Sequence, residues 1–340
     1  MDNIRFMVGE TNYSLKKGQT FNLKPRNCYQ DTTSDNIRNI IKEIDNGKNW
    51  EEAVKEKFQK NNPWLCDIVT SPKRTKFIDE FIKPKNMSIL DIGAGWGQFS
   101  LPLARLNKIC ALEPTPERID FIKAAADQEK VSQNISFIGA DHFDIKFENK
   151  FDLILSIGVL EWIGAYRTDR DPEELQQEFL IKIKNELKEG GKLVIGIENR
   201  LGLKYLMGAN DDHTGLPNIS YLTQDLAKKK YLQKVSSELK CFTYSMSEYQ
   251  KLLKKAGFNY MKFHVALPDY KVTQKIFPIN DNFMECELND FILKGGWINE
   301  HDGSNGEILL KQKELQSVYF SVAEMNLAHY FAPSFFIEAS

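Results

Sequence analysis

Short runs of consecutive apolar residues, each followed by a stretch with apolar positions at helix spacing, fill the middle of the chain. The runs at 88–91, 108–113, 134–139, 151–156 and 192–197 predict buried strands. Helices are predicted between them over 98–106, 116–128 and 172–187, and Glu189-Gly190-Gly191 predicts the turn before the fifth run. This alternation gives a parallel sheet covered by helices on both faces. Upstream, Ile37, Ile40, Ile41 and Ile44 recur at helix spacing behind a cap at Thr33 or Ser34 and stop at Gly47. A second helix runs from Asn49 through Trp50, Ala53, Val54 and Phe58, and a third is expected over 72–81. The first thirty residues read as β-like pieces broken by Gly9, Gly18 and Pro25. Beyond residue 198 the pattern loosens. A helix over 247–256 and a strand over 260–267 emerge from it, then an irregular stretch, a helix over 314–328 and a last apolar run at 334–339.

Composition narrows the class. With 42% hydrophobic and 27% charged residues the chain is globular and not disordered. The 45 basic and 47 acidic residues leave a net charge of −2, so no overall field favours a nucleic-acid backbone. Lys228-Lys229-Lys230 reads as one solvated helix face. The five cysteines are scattered, with no Cys-x-x-Cys pair, which argues against a disulfide framework and a structural zinc and fits a reducing cytoplasm. The N-terminus lacks the basic and apolar segments of a signal peptide, and no apolar run is long enough for a transmembrane segment.

The chemistry concentrates at strand ends. Asp91-Ile92-Gly93-Ala94-Gly95-Trp96-Gly97 joins a strand to a helix. Its glycines permit a sharp bend and let a ligand lie on bare peptide, and the helix start behind them offers free N–H groups. Asp91 would repel a pyrophosphate and suits a ligand with a cationic amino group. Glu113 ends the next strand, where doubly wound folds bind ribose hydroxyls. Asp141, with His142 beside it, ends the third and can accept from an exocyclic amine. Ser156 ends the fourth and leaves room for a ligand, with Glu161 and Trp162 just beyond. A positive end, a ribose and a purine amine together describe S-adenosylmethionine.

On these residues the chain resembles the class I methyltransferases that use S-adenosylmethionine and release S-adenosylhomocysteine. The resemblance implies a Rossmann-like α/β fold, with a seven-stranded, mostly parallel sheet and an antiparallel last strand. It implies that Asp91, Gly93, Gly95 and Gly97 hold the methionine end, Glu113 the ribose, and Asp141 and His142 the adenine. The runs at 260–267 and 334–339 then look like the closing hairpin. Residues 87–340 would form the methyltransferase domain, with a substrate cap inserted at about 199–246, and residues 1–86 an N-terminal cap that shapes the substrate pocket. A nicotinamide-dependent enzyme is the runner-up, and the Asp-x-Gly-x-Gly-x-Gly register argues against it.

The acceptor is sought in the loop after the fifth strand. His213 is a candidate general base, with Asp211 or Asp212 to orient it, and Arg200 and Lys204 are candidates for an anionic group, with Glu161 in the pocket wall. Asp-Asp-His-Thr-Gly is equally good turn material. A hard cation on Glu198, Asp211, Asp212 and His213 is an alternative, and the expectation is no metal. Glu198–Tyr205, 211–215, 267–271 and 331–335 are similar to methyltransferase domains of bacterial surface-polysaccharide clusters, often fused to glycosyltransferases or kinases. That likeness implies O-methylation of a hydroxyl or phosphate on a sugar, sugar-phosphate or glycan acceptor, and Tyr29 closing over the cofactor. Two other readings stay open: N- or O-methylation of a small metabolite, and a non-catalytic module that partners a glycosyltransferase.

Overall fold

The structure, a computed structural model, describes residues 3–24, 28–167, 170–279, 287–296 and 312–340; Pro25, Cys286 and His301 lie outside these. The chain forms two compact units, Met1–Val159 with Lys182–Val194, and Leu160–Ile181 with Ile195–Ser340.

The first unit holds strands β1 (Asn3–Val8), β2 (Thr11–Lys16), β3 (Thr20–Asn22), β4 (Ser88–Ile92), β5 (Lys108–Glu113), β6 (Ile135–Gly139), β7 (Lys146–Phe147), β8 (Phe151–Ile157) and most of β9 (Leu187–Glu198). Strands β9, β8, β4, β5, β6 and β3 lie side by side in that order. The pairs β4–β5, β4–β8, β5–β6 and β3–β6 are parallel. Every residue of β4 and β6 is buried, which is why these strands read as unbroken apolar runs. Helices α1 (Ser34–Asp45), α2 (Trp50–Phe58), α3 (Pro63–Thr70), α4 (Ser100–Leu103) and α5 (Pro116–Gln128) belong to this unit. The cap of α1 is Thr33, whose side chain accepts from the Asn36 N–H, and Ile37, Ile40 and Ile44 form its buried stripe.

Within residues 1–86, expected to form an N-terminal cap, β1 pairs antiparallel with both β2 and β7, and β3 extends the parallel sheet beyond β6. The helix expected over 98–106 shrinks to the four residues of α4, with Pro102 in its first turn where no N–H is required, and the chain leaves it in tighter turns in which Arg105 donates to the Pro102 carbonyl and Leu106 to the Leu103 carbonyl. The helix expected over 72–81 is present but irregular, a 3₁₀ turn over Pro72–Thr75 running on into a π-helical segment over Ile78–Ile82, and it is preceded by α3.

The second unit takes the end of β9, then β10 (Met261–Leu267), β11 (Lys275–Pro278) and β12 (Ser334–Ala339), ordered β11-β10-β12-β9. β12 is antiparallel to β10, as the hairpin expectation required, and β11 adds a further antiparallel strand. The chain crosses between units within helix α6 (Pro172–Glu186) and within β9. Also in the second unit are α7 (Leu203–Leu206), α8 (Gln224–Val235), α9 (Met246–Lys255), α10 (Glu287–Leu293) and α11 (Gln312–Glu324). A reciprocal capping box between Ser245 and Glu248 starts α9 one residue before the expected position. Among the described residues no helix is long and apolar enough to cross a membrane.

Candidate functional site

In the first unit, β4 leads into a loop whose three glycines all adopt positive φ: Gly93 at 67°, Gly95 at 56° and Gly97 at 79°. The N–H groups of Gly93 and Ala94 both donate to the Leu112 carbonyl, folding the loop back over β5. A side chain at Gly93 would bring its Cβ within 2.5 Å of the Val159 Cγ2, so only glycine fits. Glu113 lies beside this loop. One of its oxygens accepts from the Gly95 N–H at 3.0 Å, and the other from the Thr115 N–H at 3.1 Å and from Arg118 at 3.4 Å. Arg118 also pairs with Asp31 at 2.7 Å, and Asp31 accepts the Trp96 indole N–H at 3.0 Å. This network ties the segment that follows β3 to the glycine loop. Cys28 reaches Thr115 at 3.4 Å, so Tyr29, half exposed, lies on a segment anchored next to Glu113.

Asp91, expected at the methionine end of the cofactor, lies inside the first unit. It is 1% exposed and bonds inward to Ser100, whose hydroxyl donates at 2.6 Å. Burial pushes its carboxyl up to about 7 against the opposing pull of Ser100. The bond to Ser100 ties Asp91 to the start of α4. With α4 only four residues long, a single turn stands where a helix start offering free N–H groups is expected. His142 is buried and its Nε2 meets Glu186 at 2.7 Å, while Asp141 caps the turn His142–Asp144 by accepting from the Phe143 N–H. Ser156 lies inside β8, fully buried and paired opposite Ile92, and not at the strand end. Gly158, with φ 73°, provides the bend after β8.

The second unit gathers a buried polar cluster. Nε2 of His213 lies 3.8 Å from Glu161 and 3.7 Å from Glu198, and one ligand-capable atom from each of the three residues falls within 4.8 Å of the others. Glu161 and Glu198 are 1% and 2% exposed. Glu161 sits in the tight turn Leu160–Trp162, which Gln176 fixes by donating to the Leu160 carbonyl at 2.7 Å. The tyrosine hydroxyl of Tyr270 donates to its Oε1 at 3.3 Å, while Oε2 has no hydrogen-bond partner. Glu198 ends β9, held by Tyr249 donating to its carbonyl at 3.0 Å and by the buried Asn199, whose amide donates to the Tyr330 and Ala332 carbonyls. Lys271 pairs with Oε1 of Glu198. The indole of Trp162 meets the His213 ring edge to face at 5.2 Å. Burial alone would lower the imidazole pKa, but Glu198 and Glu161 lift it to about 9. Burial raises Glu161, with His213 opposing.

The expected partners of His213 therefore change. Asp211 accepts from the His213 and Thr214 N–H groups at 3.0 and 2.7 Å and from the Ser220 hydroxyl at 2.7 Å; it builds the turn. Asp212 is bound to Lys204 at 3.3 Å, Lys271 at 3.4 Å and the Tyr205 hydroxyl at 3.0 Å. Burial would raise its carboxyl, but the lysines hold it well below the usual range. Lys204 is buried against Asp212, and Arg200 grips Glu248 at 2.7 and 2.9 Å while donating to the Tyr221 and Leu222 carbonyls. Both cations, expected to bind an anionic group, are engaged by carboxylates of the chain itself. Tyr205, Tyr270 and Lys271 were missed as members of the cluster. The Asp269-Tyr270-Lys271 stretch was visible, but nothing in its local pattern points back to His213.

The methyltransferase-domain family matches residues 83–257, more than half of the chain, and the chain belongs to it: this is a class I, S-adenosylmethionine-dependent methyltransferase domain. Curated relatives include the ubiquinone biosynthesis O-methyltransferases of Roseobacter denitrificans, 26% identical over 163 residues, and of Rickettsia canadensis, 25% identical over 167. These alignments cover 46% and 45% of this chain and 61% and 66% of the relatives, so the chain spans less than two thirds of either. Among solved structures, the phosphoethanolamine N-methyltransferase 2 of Haemonchus contortus with S-adenosyl-L-methionine is 12% identical, with a TM-score of 0.43 over 88% of this chain and 59% of that one.

Proposed function

We propose that the chain is an O-methyltransferase acting on a hydroxyl of a sugar or glycan, with the acceptor received at Glu161, Glu198 and His213. The observation that carries this reading is the burial of two carboxylates and an imidazole within 4.8 Å of one another. Charges so placed are costly to keep out of water, and such costs concentrate where chemistry is done. Glu161 follows the carboxyl end of β8 and Glu198 closes β9. In open α/β sheets ligands bind beyond those ends. Arg200 and Lys204 are both consumed by carboxylates, which favours a hydroxyl over a phosphate.

Gly93, Gly95, Gly97, Glu113 and Tyr29 are proposed to hold the cofactor, with Asp141 at its adenine. S-adenosylmethionine supplies a methyl group on a sulfonium; the chain must hold that group, hold the acceptor oxygen in line and see its proton removed. His213, not Asp211 or Asp212, is the residue of its loop proposed to serve the acceptor site. The proposal includes a cytoplasmic setting and a glycosyltransferase or kinase as a working partner, supported by the likeness to polysaccharide-cluster domains. A second reading, O-methylation of a ubiquinone precursor, is favoured by the names of the curated relatives.

The test is release of S-adenosylhomocysteine with methyl glycosides, nucleotide sugars and hydroxylated ubiquinone precursors offered in parallel. Turnover with a sugar acceptor, lost in His213→Ala while calorimetric cofactor binding survives, is the expected result. Turnover confined to the ubiquinone precursors would replace the acceptor class, and none with any hydroxyl compound would end the reading.

A further inference from the structure

We infer that Glu161, Glu198 and His213 form a site for a divalent cation of the magnesium–manganese class. Carboxylate oxygens with a single imidazole are a donor set that such hard or borderline ions accept. Ligands about 2.1 Å from a shared ion lie roughly 3 Å apart in adjacent octahedral positions. The 3.7 and 3.8 Å separations from Nε2 to the two carboxylates approach that spacing, so sub-ångström side-chain shifts complete it.

Two independent observations point to a ligand. Oε2 of Glu161, on a side chain 99% buried, has no hydrogen-bond partner, and Oε2 of Glu198 has none either and faces His213. Buried carboxylate oxygens left without donors are expensive, and a cation among them removes that cost. The donors are also held from behind. Gln176 fixes the Glu161 turn, Asn199 and Tyr249 fix the end of β9, and Asp211 fixes the backbone of His213. Supporting bonds of that kind orient the donors of metal sites. Lys271 occupies only the Oε1 side of Glu198, leaving the side toward His213 open to the ion.

The inference rests on the proposed acceptor site for its purpose. A cation there would bind an acceptor hydroxyl and lower its pKa, and the released proton would pass to water. Nε2 of His213 would then be a ligand and not a base.

The experiment uses the full chain stripped with EDTA, with no cofactor or acceptor added. Titration with Mn2+ alone, followed by calorimetry and electron paramagnetic resonance, is expected to show one bound ion with nitrogen coupling from a single imidazole. Glu161→Gln and His213→Ala should each weaken binding at least tenfold, and His213→Ala should abolish the nitrogen coupling. The wild-type spectrum serves as the test if a variant fails to fold. Absence of binding at millimolar Mn2+, or binding without nitrogen coupling, would overturn the inference. Methyl transfer is measured separately. An ion bound as expected but no hydroxyl methylated would uphold the site and remove the proposed function. Transfer undiminished by stripping, with no ion bound, would do the reverse.

Discussion

The carboxylate of Glu113 accepts the backbone N–H of Gly95 at 3.0 Å, so the acid at the end of β5 and the loop after β4 are built as one piece. Thr115 and Arg118 hold its other oxygen. Glu113→Gln would set an amide NH2 against one of these donors. Cofactor affinity measured by calorimetry should fall at least tenfold, with a loss of stability of about 1–3 kcal/mol. An unchanged affinity would remove Glu113 from the cofactor site.

Gly93→Ala meets two obstacles. The position has φ 67°, and the added methyl would press on Val159. The left-handed backbone costs about 1–2 kcal/mol and the overpacking about 1–3 kcal/mol. Adding Val159→Ala should recover only the second part. Full recovery in thermal unfolding would show that the backbone conformation is not required.

Asp91 gives a pH dependence with a defined sign. Its folded carboxyl is raised to about 7 from an ordinary 3.8, so the folded chain binds this proton more tightly than the unfolded one. That contribution is full below the ordinary value and is lost as pH rises toward 7. Asp91→Asn keeps an acceptor for Ser100 and removes the charge. Relative to the wild type it should gain about 2–4 kcal/mol between pH 4 and pH 8. Denaturant unfolding at the two pH values decides it, and parallel curves would refute the assignment.

The pair Arg200–Glu248 behaves in the opposite sense. Arg200 and the cap of α9 hold Glu248 at about 2 although burial opposes them. Its stabilising effect is present above the ordinary carboxylate range and is lost as pH falls toward 2. Arg200→Ala should therefore lower the melting temperature at neutral pH and leave the acceptor KM unchanged. A large rise in KM with unaltered melting would return Arg200 to substrate binding.

Much of the fold is legible in the sequence because buried parallel strands declare themselves: β4, β5, β6 and β8 are mostly apolar and almost wholly buried, and the loop after β4 carries the glycines. The N-terminal strands were harder, since β1 and β3 are defined by β7 and β6 and not by their own weak alternation. Positions of the site residues were legible, but their partnerships were not. The sequence invites pairing His213 with its neighbours Asp211 and Asp212. The turn uses the first, and lysines from two distant segments take the second. Glu161 and Lys271 reach the cluster from far along the chain, a relation that local spacing does not encode.

Strand β3 is three residues long, yet it takes the outer flank of β6. A shortened version begun at residue 87 would strip that cover. It would leave an apolar strand with bare amide and carbonyl groups along one side, an invitation to self-association. The practical boundary for producing this domain is therefore the first strand and not the first glycine loop.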